Sequence, residues 1–311
     1  MGNFINPFTD FGFKLIFGTE DSKPFLIDFL NELLKEEPGF ETITDVNYND
    51  KEMSRLNKEE RGIIYDIHCT TSSGKKFIVE MQNSPQAYFI NRSIYYSARA
   101  IVEQGRTGDF WKYRYMPVYM ISFLNFSLNE LGNNVRTDVA LCDLDTKEPV
   151  SDKLRLIFIQ LPKFDKTSPD QCTTAFDQWI YILNNMEIME RMPFVQERKL
   201  FEKLAGVTSY AALDATQRRE YDADLKAFRD LTNQIDYAQE KGYRDGMEQG
   251  MEQGMEQGIK QGIQKGVEKG IEQSQATIVL KMSKRGLDAE TIADLTSIDL
   301  DKVKSIIKRQ H

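Results

Sequence analysis

The chain is 311 residues long and 41% hydrophobic, enough for a sizeable core and more than one typical domain. Its net charge of −8 excludes a protein that coats nucleic acid through its whole surface, so any phosphate contact must be local. No run approaches the roughly 18 apolar residues of a membrane span, and no basic segment followed by an apolar one opens the chain, so membrane insertion and secretion are not expected. Three cysteines, Cys69, Cys142 and Cys172, match neither a disulfide framework nor a zinc site, and a reducing cytoplasm is the expected home.

In chain order, Thr9 or Asp10 opens a turn before the aromatic cluster Phe11, Phe13 and Phe17. Residues 22–35 then read as an amphipathic helix, with Phe25, Leu26, Phe29, Leu30, Leu33 and Leu34 as its buried stripe, Ser22 and Pro24 at its start and Pro38-Gly39 as its stop. Residues 43–49 form a short strand, and a charged stretch from Lys51 to Arg61 leads into a hairpin over residues 62–82.

That hairpin holds acids in otherwise apolar strand patterns. Alternation puts Ile64, Asp66 and His68 on one face of the first strand, with Ile63, Tyr65, Ile67 and Cys69 on the other; in the second, Ile78, Glu80 and Gln82 lie opposite Phe77, Val79 and Met81. A three-residue loop Ser72-Ser73-Gly74 makes Thr71 and Lys75 the flanking pair and sets Asp66 directly against Glu80. A two-residue loop would instead set Asp66 against Met81 and separate the polar groups, so the first register is preferred. Opposed carboxylates repel, which calls for a cation or a basic group beside them. Two carboxylates and an amide on one patch suit a hard divalent ion such as magnesium.

A helix over residues 86–104 carries Arg92 and Arg99 within about 20° of each other, with Arg106 just beyond. Residues 84–115 hold five Lys and Arg against two acids, a local excess that reads as phosphate contact or as a solvated helix face. Tyr88, Tyr95 and Tyr96 read as packing residues, and His68 as a strand-end histidine facing solvent in preference to a ligand. Residues 117–126, 135–142 and 154–161 are three further strands, completing a mixed sheet flanked by helices. Beyond Pro162 the pattern is helical to about residue 240, with turns near Pro169, Pro193 and Gly206.

Glycines then recur every four residues from Gly242 to Gly270, each from Gly246 on followed by Met, Ile or Val. Each glycine disfavours helix by about 1 kcal/mol relative to Ala, and Glu248, Glu252 and Glu256 repel at four-residue spacing. A lone helix is therefore not expected: the ladder is a flexible linker or a place where chains associate, with association favoured. Residues 276–309 form a small helical unit with Gly286-Leu287 between helices and Ile278, Leu280, Ile292, Leu295, Val303, Ile306 and Ile307 to pack it. Its outline resembles a helix-turn-helix or a dimerising helical hairpin.

The spacing Asp66, thirteen residues, Glu80, one residue, Gln82 resembles the PD-(D/E)XK nuclease motif. With Thr9-Asp10-Phe11-Gly12-Phe13-Lys14-Leu15-Ile16-Phe17 and Arg92-Ser93-Ile94-Tyr95-Tyr96, the chain resembles the Rpn family of recombination-promoting nucleases and transposases over roughly residues 5–270. The resemblance implies an α/β, restriction-endonuclease-like mixed sheet with a C-terminal helical extension. The expected division is a nuclease core at 1–165, a helical extension at 166–240, the glycine repeat at 241–273 and a helical tail at 274–311. It implies a metal-dependent DNA endonuclease with Asp66, Glu80 and Gln82 catalytic, Asp66 and Glu80 holding Mg2+ or another divalent cation, and Lys14, Arg92 and Arg99 on the DNA. Asp10 and His68 are additional candidates, and a homo-oligomer through residues 241–311 is the expected assembly. Gln82 stands where the general motif has Lys, and a neutral amide orients a water without lending it positive charge. That keeps a second reading open, a nuclease-fold DNA-binding or interaction protein with weak or no catalysis.

Overall fold

A computed structural model of the chain describes residues 2–37, 39–49, 52–53, 63–105 and 112–309. The chain divides into two compact units, Met1–Ile235 and Asp236–His311. The first opens with α1 (Asp10–Phe17) and α2 (Lys23–Leu34). Thr9 caps α1, its hydroxyl accepting from Gly12 N at 2.9 Å, so the expected opening turn is the first turn of a helix. Pro24 sits in the first turn of α2, where its missing N–H costs nothing, and Gly39 follows at φ +69°. The strands are β1 (Val46–Tyr48), β2 (Glu52–Met53), β3 (Ile63–Ile64), β4 (Ile67–Thr71) and β5 (Lys76–Gln82), then β6 (Val118–Leu124), β7 (Arg136–Ala140) and β8 (Leu154–Gln160) after α3 (Phe89–Val102). Helices α4 (Ala175–Asn185) and α5 (Lys199–Thr208) lead to the long α6 (Ala215–Ser283).

Six strands form one mixed sheet in the order β1-β4-β5-β6-β8-β7, with β5, β6 and β8 parallel and antiparallel pairs outside them; β2 and β3 pair separately. Strict alternation along the central strands gives the sheet two apolar faces. One carries Ile67, Cys69, Phe77, Val79, Ile121, Phe123, Ile157 and Ile159 and meets α1, α2, α4 and α5 through Phe13, Phe17, Phe29, Trp179 and Phe201. The other carries Ile78, Met120, Leu124, Leu156 and Phe158 and meets α3 through Phe89 and Ala100. Trp179 and Phe201 share this core with the sheet, so residues 166–235 belong to the same compact unit. Gly206, expected at a turn, lies inside α5, and the chain turns after Thr208.

In the second unit the glycine ladder is helical throughout, as part of α6. Gly286 at φ +91° ends that helix, and Asp288 caps α7 (Ala289–Thr296), which is followed by α8 (Leu300–Lys308). The small core there is Val279, Ile292, Ile298 and Val303, whereas Ile278 and Leu295, expected inside, are exposed.

Phe123 is fully buried, with ring centroids 5.7 Å from Phe13, 6.0 Å from Phe17 and 5.1 Å from Phe29. Phe123→Ala should therefore lower the stability of the first unit by about 3–5 kcal/mol in urea unfolding followed by the fluorescence of buried Trp179.

Candidate active site

Turn chemistry sets the geometry of the hairpin. Gly74 takes φ +87°, Gly74 N donates to Thr71 O at 2.9 Å and Thr71 N to Lys75 O at 2.9 Å, so Ser72-Ser73-Gly74 is the loop. The ladder then runs Thr70↔Lys76, Cys69↔Phe77, His68↔Ile78 and Ile67↔Val79. The three-residue loop that the sequence favours is thus the one formed, and the ladder stops at Ile67↔Val79, one residue short of Asp66, whose charge nonetheless acts on Glu80. β4 itself begins one residue later, because Asp66 sits in a bend and its Oδ2 accepts from Met81 N at 2.9 Å. A side-chain carboxylate thus takes the hydrogen bond that a main-chain carbonyl would take farther along the ladder. The bend also breaks alternation: Tyr65, expected beside Ile67, packs on the opposite face with Ile78.

Glu80 is the buried acid of this site, only 2% exposed. Its Oε2 accepts from Gln82 Nε2 at 3.3 Å and lies 3.8 Å from Arg92 Nη2 on α3. Its Oε1 is buried and has no hydrogen-bond partner among the described residues. Burial above all, then the Asp66 charge, pushes the Glu80 carboxyl up to about 8, against the opposing pull of the Arg92 guanidinium. Arg92 also bonds Gln86 Oε1 and lies over the rings of Phe89 and Tyr96, at 5.1 and 5.5 Å from their centroids. Its Nε is buried without a hydrogen-bond partner among the described residues.

One neighbour was not visible in the sequence. Ser122 on β6 pairs in register with Glu80, on the same face, and its fully buried Oγ also lacks a partner among the described residues. Its signal, a lone hydroxyl amid Met120, Ile121 and Phe123, becomes legible only once the parallel pairing of β5 and β6 is known.

The other candidates sit differently from expectation. His68 does not face solvent: it is 3% exposed, beneath α3, its ring 5.1 Å from that of Tyr65. Arg99 is 7% exposed, so α3 turns it into the protein and not toward a phosphate on an open surface. Lys14 and Asp10 pair with each other at 2.5 Å on the exposed side of α1. The segment before them is tied to the end of β5, where Asn83 Nδ2 donates to Phe8 O at 2.7 Å. Tyr96 packs as expected against Tyr65, whereas Tyr88 and Tyr95 are exposed. Arg106 and most of the 51–61 stretch lie outside the described residues.

Among the described residues no three or more His, Cys, Asp or Glu side chains converge on a metal position. The donor set nonetheless fits a hard divalent ion: two carboxylates and an amide supply oxygen, and the orphaned Glu80 Oε1 marks a carboxylate whose charge the protein alone does not satisfy.

Compared with known families, residues 7–238 match the model described as PD-(D/E)XK nuclease family transposase. The chain belongs to that family. The match takes in the whole sheet and ends just before the glycine ladder of α6. Comparison with curated proteins and with solved structures gave no match. Within the matched region Asp66 immediately precedes β4, and Glu80 and Gln82 lie on β5, the strand paired with it.

The Glu80 shift has a defined sign. A folded chain that keeps the Glu80 proton to about pH 8, against 4.5 for the ordinary carboxyl, binds more protons than the unfolded chain between those values. Stability of the metal-free protein should therefore fall as pH rises through that window, by at most about 1.4 kcal/mol per pH unit from this group. Urea titrations in chelator should show Glu80→Gln gaining on wild type from pH 5 to pH 8.

Proposed function

We propose that this protein is a metal-dependent DNA endonuclease that hydrolyses phosphodiester bonds in recombination or transposition-related breakage, acting in a reducing cytoplasm. The observation that carries the reading is the buried, Arg92-flanked Glu80, within reach of the Asp66 charge, in a PD-(D/E)XK nuclease family domain. Asp66 and Glu80 would hold Mg2+ or another divalent ion, which when bound neutralises phosphate charge and acidifies water. Asp66 is fixed for this by the Met81 N–H, and Glu80 by the Gln82 amide and the Arg92 guanidinium. Gln82 orients the attacking water through its amide. Ser122, in register with Glu80 on the neighbouring strand, puts a hydroxyl beside that carboxylate. Arg92, partly exposed, presents positive charge to the DNA backbone, and Lys14, exposed on α1, supplies a second cation for it.

One observation favours a second reading, a DNA-binding or interaction protein with little catalysis. Gln82 brings no positive charge to the water, and burial favours a protonated Glu80 at neutral pH. A second copy of the chain joins through residues 241–311 in either case.

Supercoiled-plasmid nicking separates these readings. Wild type should nick only with a divalent ion, and Asp66→Ala and Glu80→Ala should not nick at all; activity that survives either change removes the assignment. Arg92→Ala should weaken DNA binding and reduce the salt slope of log K by about 1.

Stability supplies an independent readout. Above about pH 8, where Glu80 also carries charge, Asp66→Asn relieves the repulsion between the two acids and should raise the melting temperature without metal. Magnesium at about a hundredfold excess over Kd should stabilise wild type by about 2.7 kcal/mol and the variant little. A variant that melts below wild type in metal-free buffer at such a pH would show that the two acids are not in conflict.

A further inference from the structure

The ladder helix presents a surface that no other described residue covers. Every fourth residue from Tyr243 to Ile271 is a large apolar side chain, and all are more than half exposed, from 53% for Ile271 to 76% for Tyr243. Beside that stripe run the glycines, and a Cβ at any of them from Gly242 to Gly270 would meet no atom within 4 Å. The helix therefore carries the conformational cost of eight glycines, about 1 kcal/mol each, with no close packing inside the chain to offset it. A continuous apolar stripe of this length on a water-soluble helix marks an interaction surface.

The charges beside the stripe say what fits it. Asp245, Glu248, Glu252 and Glu256 precede Gly258, whereas Lys260, Lys265 and Lys269 follow it; Arg244 and Glu268 are the exceptions. Two copies laid parallel and in register would set Glu248, Glu252 and Glu256 against themselves. Reversed about Gly258, Glu256 of each copy faces Lys260 of the other, and Glu252 and Glu248 fall one residue from Lys265 and Lys269, with Glu268 the one acid set across from Glu248. A two-fold axis through Gly258 makes this contact closed and self-complementary.

Helix geometry agrees with such a contact. At 100° per residue the stripe advances about 40° every four residues, so helices following each other's stripes wrap right-handed. That is the hand of close crossings over small residues spaced by four, where backbones approach because no Cβ intervenes.

We propose that residues 243–271 form an antiparallel interface with a second copy of this chain, centred on Gly258 and built from the apolar stripe, the bare glycine backbone and the opposed charged halves. The proposal rests on the self-association reading above and adds orientation and register to it. Gly246 then lies near Gly270 of the second copy, and Gly258 near its own counterpart.

The test uses the full chain with the exposed Cys142 replaced by Ser. Light scattering should give the mass of two chains, and Glu252→Lys with Glu256→Lys should weaken the dimer at least tenfold. On oxidation Gly258→Cys alone should form a covalent dimer. Gly246→Cys alone should not, but it should when mixed with Gly270→Cys. A single-chain mass overturns both self-association and the interface. A dimer in which Gly246→Cys cross-links to itself keeps self-association and overturns the antiparallel arrangement.

Discussion

A carboxylate buried between a sheet and a helix is the constraint around which this site is arranged. Glu80 is held out of water beneath α3, and an acid in that position is charged only if something answers the charge. Arg92 answers part of it from α3, at 3.8 Å, and Gln82 another part from the same strand. One oxygen remains unanswered among the described residues, facing a neighbourhood that also holds the unpaired hydroxyl of Ser122. The adjacent Asp66 accepts from the Met81 N–H, and its charge adds to the cost of ionising Glu80.

The rest of the first unit keeps this arrangement fixed. Parallel pairing of β5, β6 and β8 buries the central strands on both faces, and the aromatic cluster of Phe13, Phe17, Phe29, Phe123 and Trp179 holds the far face against four helices. Early α6 closes the unit, where Tyr221 Oη accepts from Asn6 N at 2.8 Å and Asp224 Oδ2 accepts from Phe11 N at 2.8 Å. These bonds tie the segment before α1 to the body, and Asn83 ties the same segment to the end of β5. Rigid support of this kind is what a site built on strand ends needs, since its carboxylates must stay opposed despite their repulsion.

The ladder and the tail follow a different logic. The family match stops at residue 238, and the second compact unit begins at Asp236. Its core is small, four buried apolar residues joined by the turn at Gly286, and most of its helical surface is exposed. A helix this rich in glycine gains little from its own packing, which moves the source of its stability to whatever lies against its apolar stripe.

Local rules carried much of this structure, and they were legible in the sequence. Loop length and Gly74 determined the hairpin register from Thr70↔Lys76 to Ile67↔Val79, because turn geometry depends on a handful of consecutive residues. Apolar periodicity located α2, α3 and the strands at 118–124, 136–140 and 154–160 for the same reason. Tertiary structure alone decided what depends on residues far apart in the chain. The packing of α3 on the sheet turned His68 and Arg99 from expected surface groups into buried ones, and it placed Arg92 beside Glu80. The bend at Asp66 moved Tyr65 to the other face, and the pairing of β6 with β5 brought Ser122 beside Glu80. Burial and strand order are properties of the assembled sheet, so no window of sequence around any one of these residues contains them.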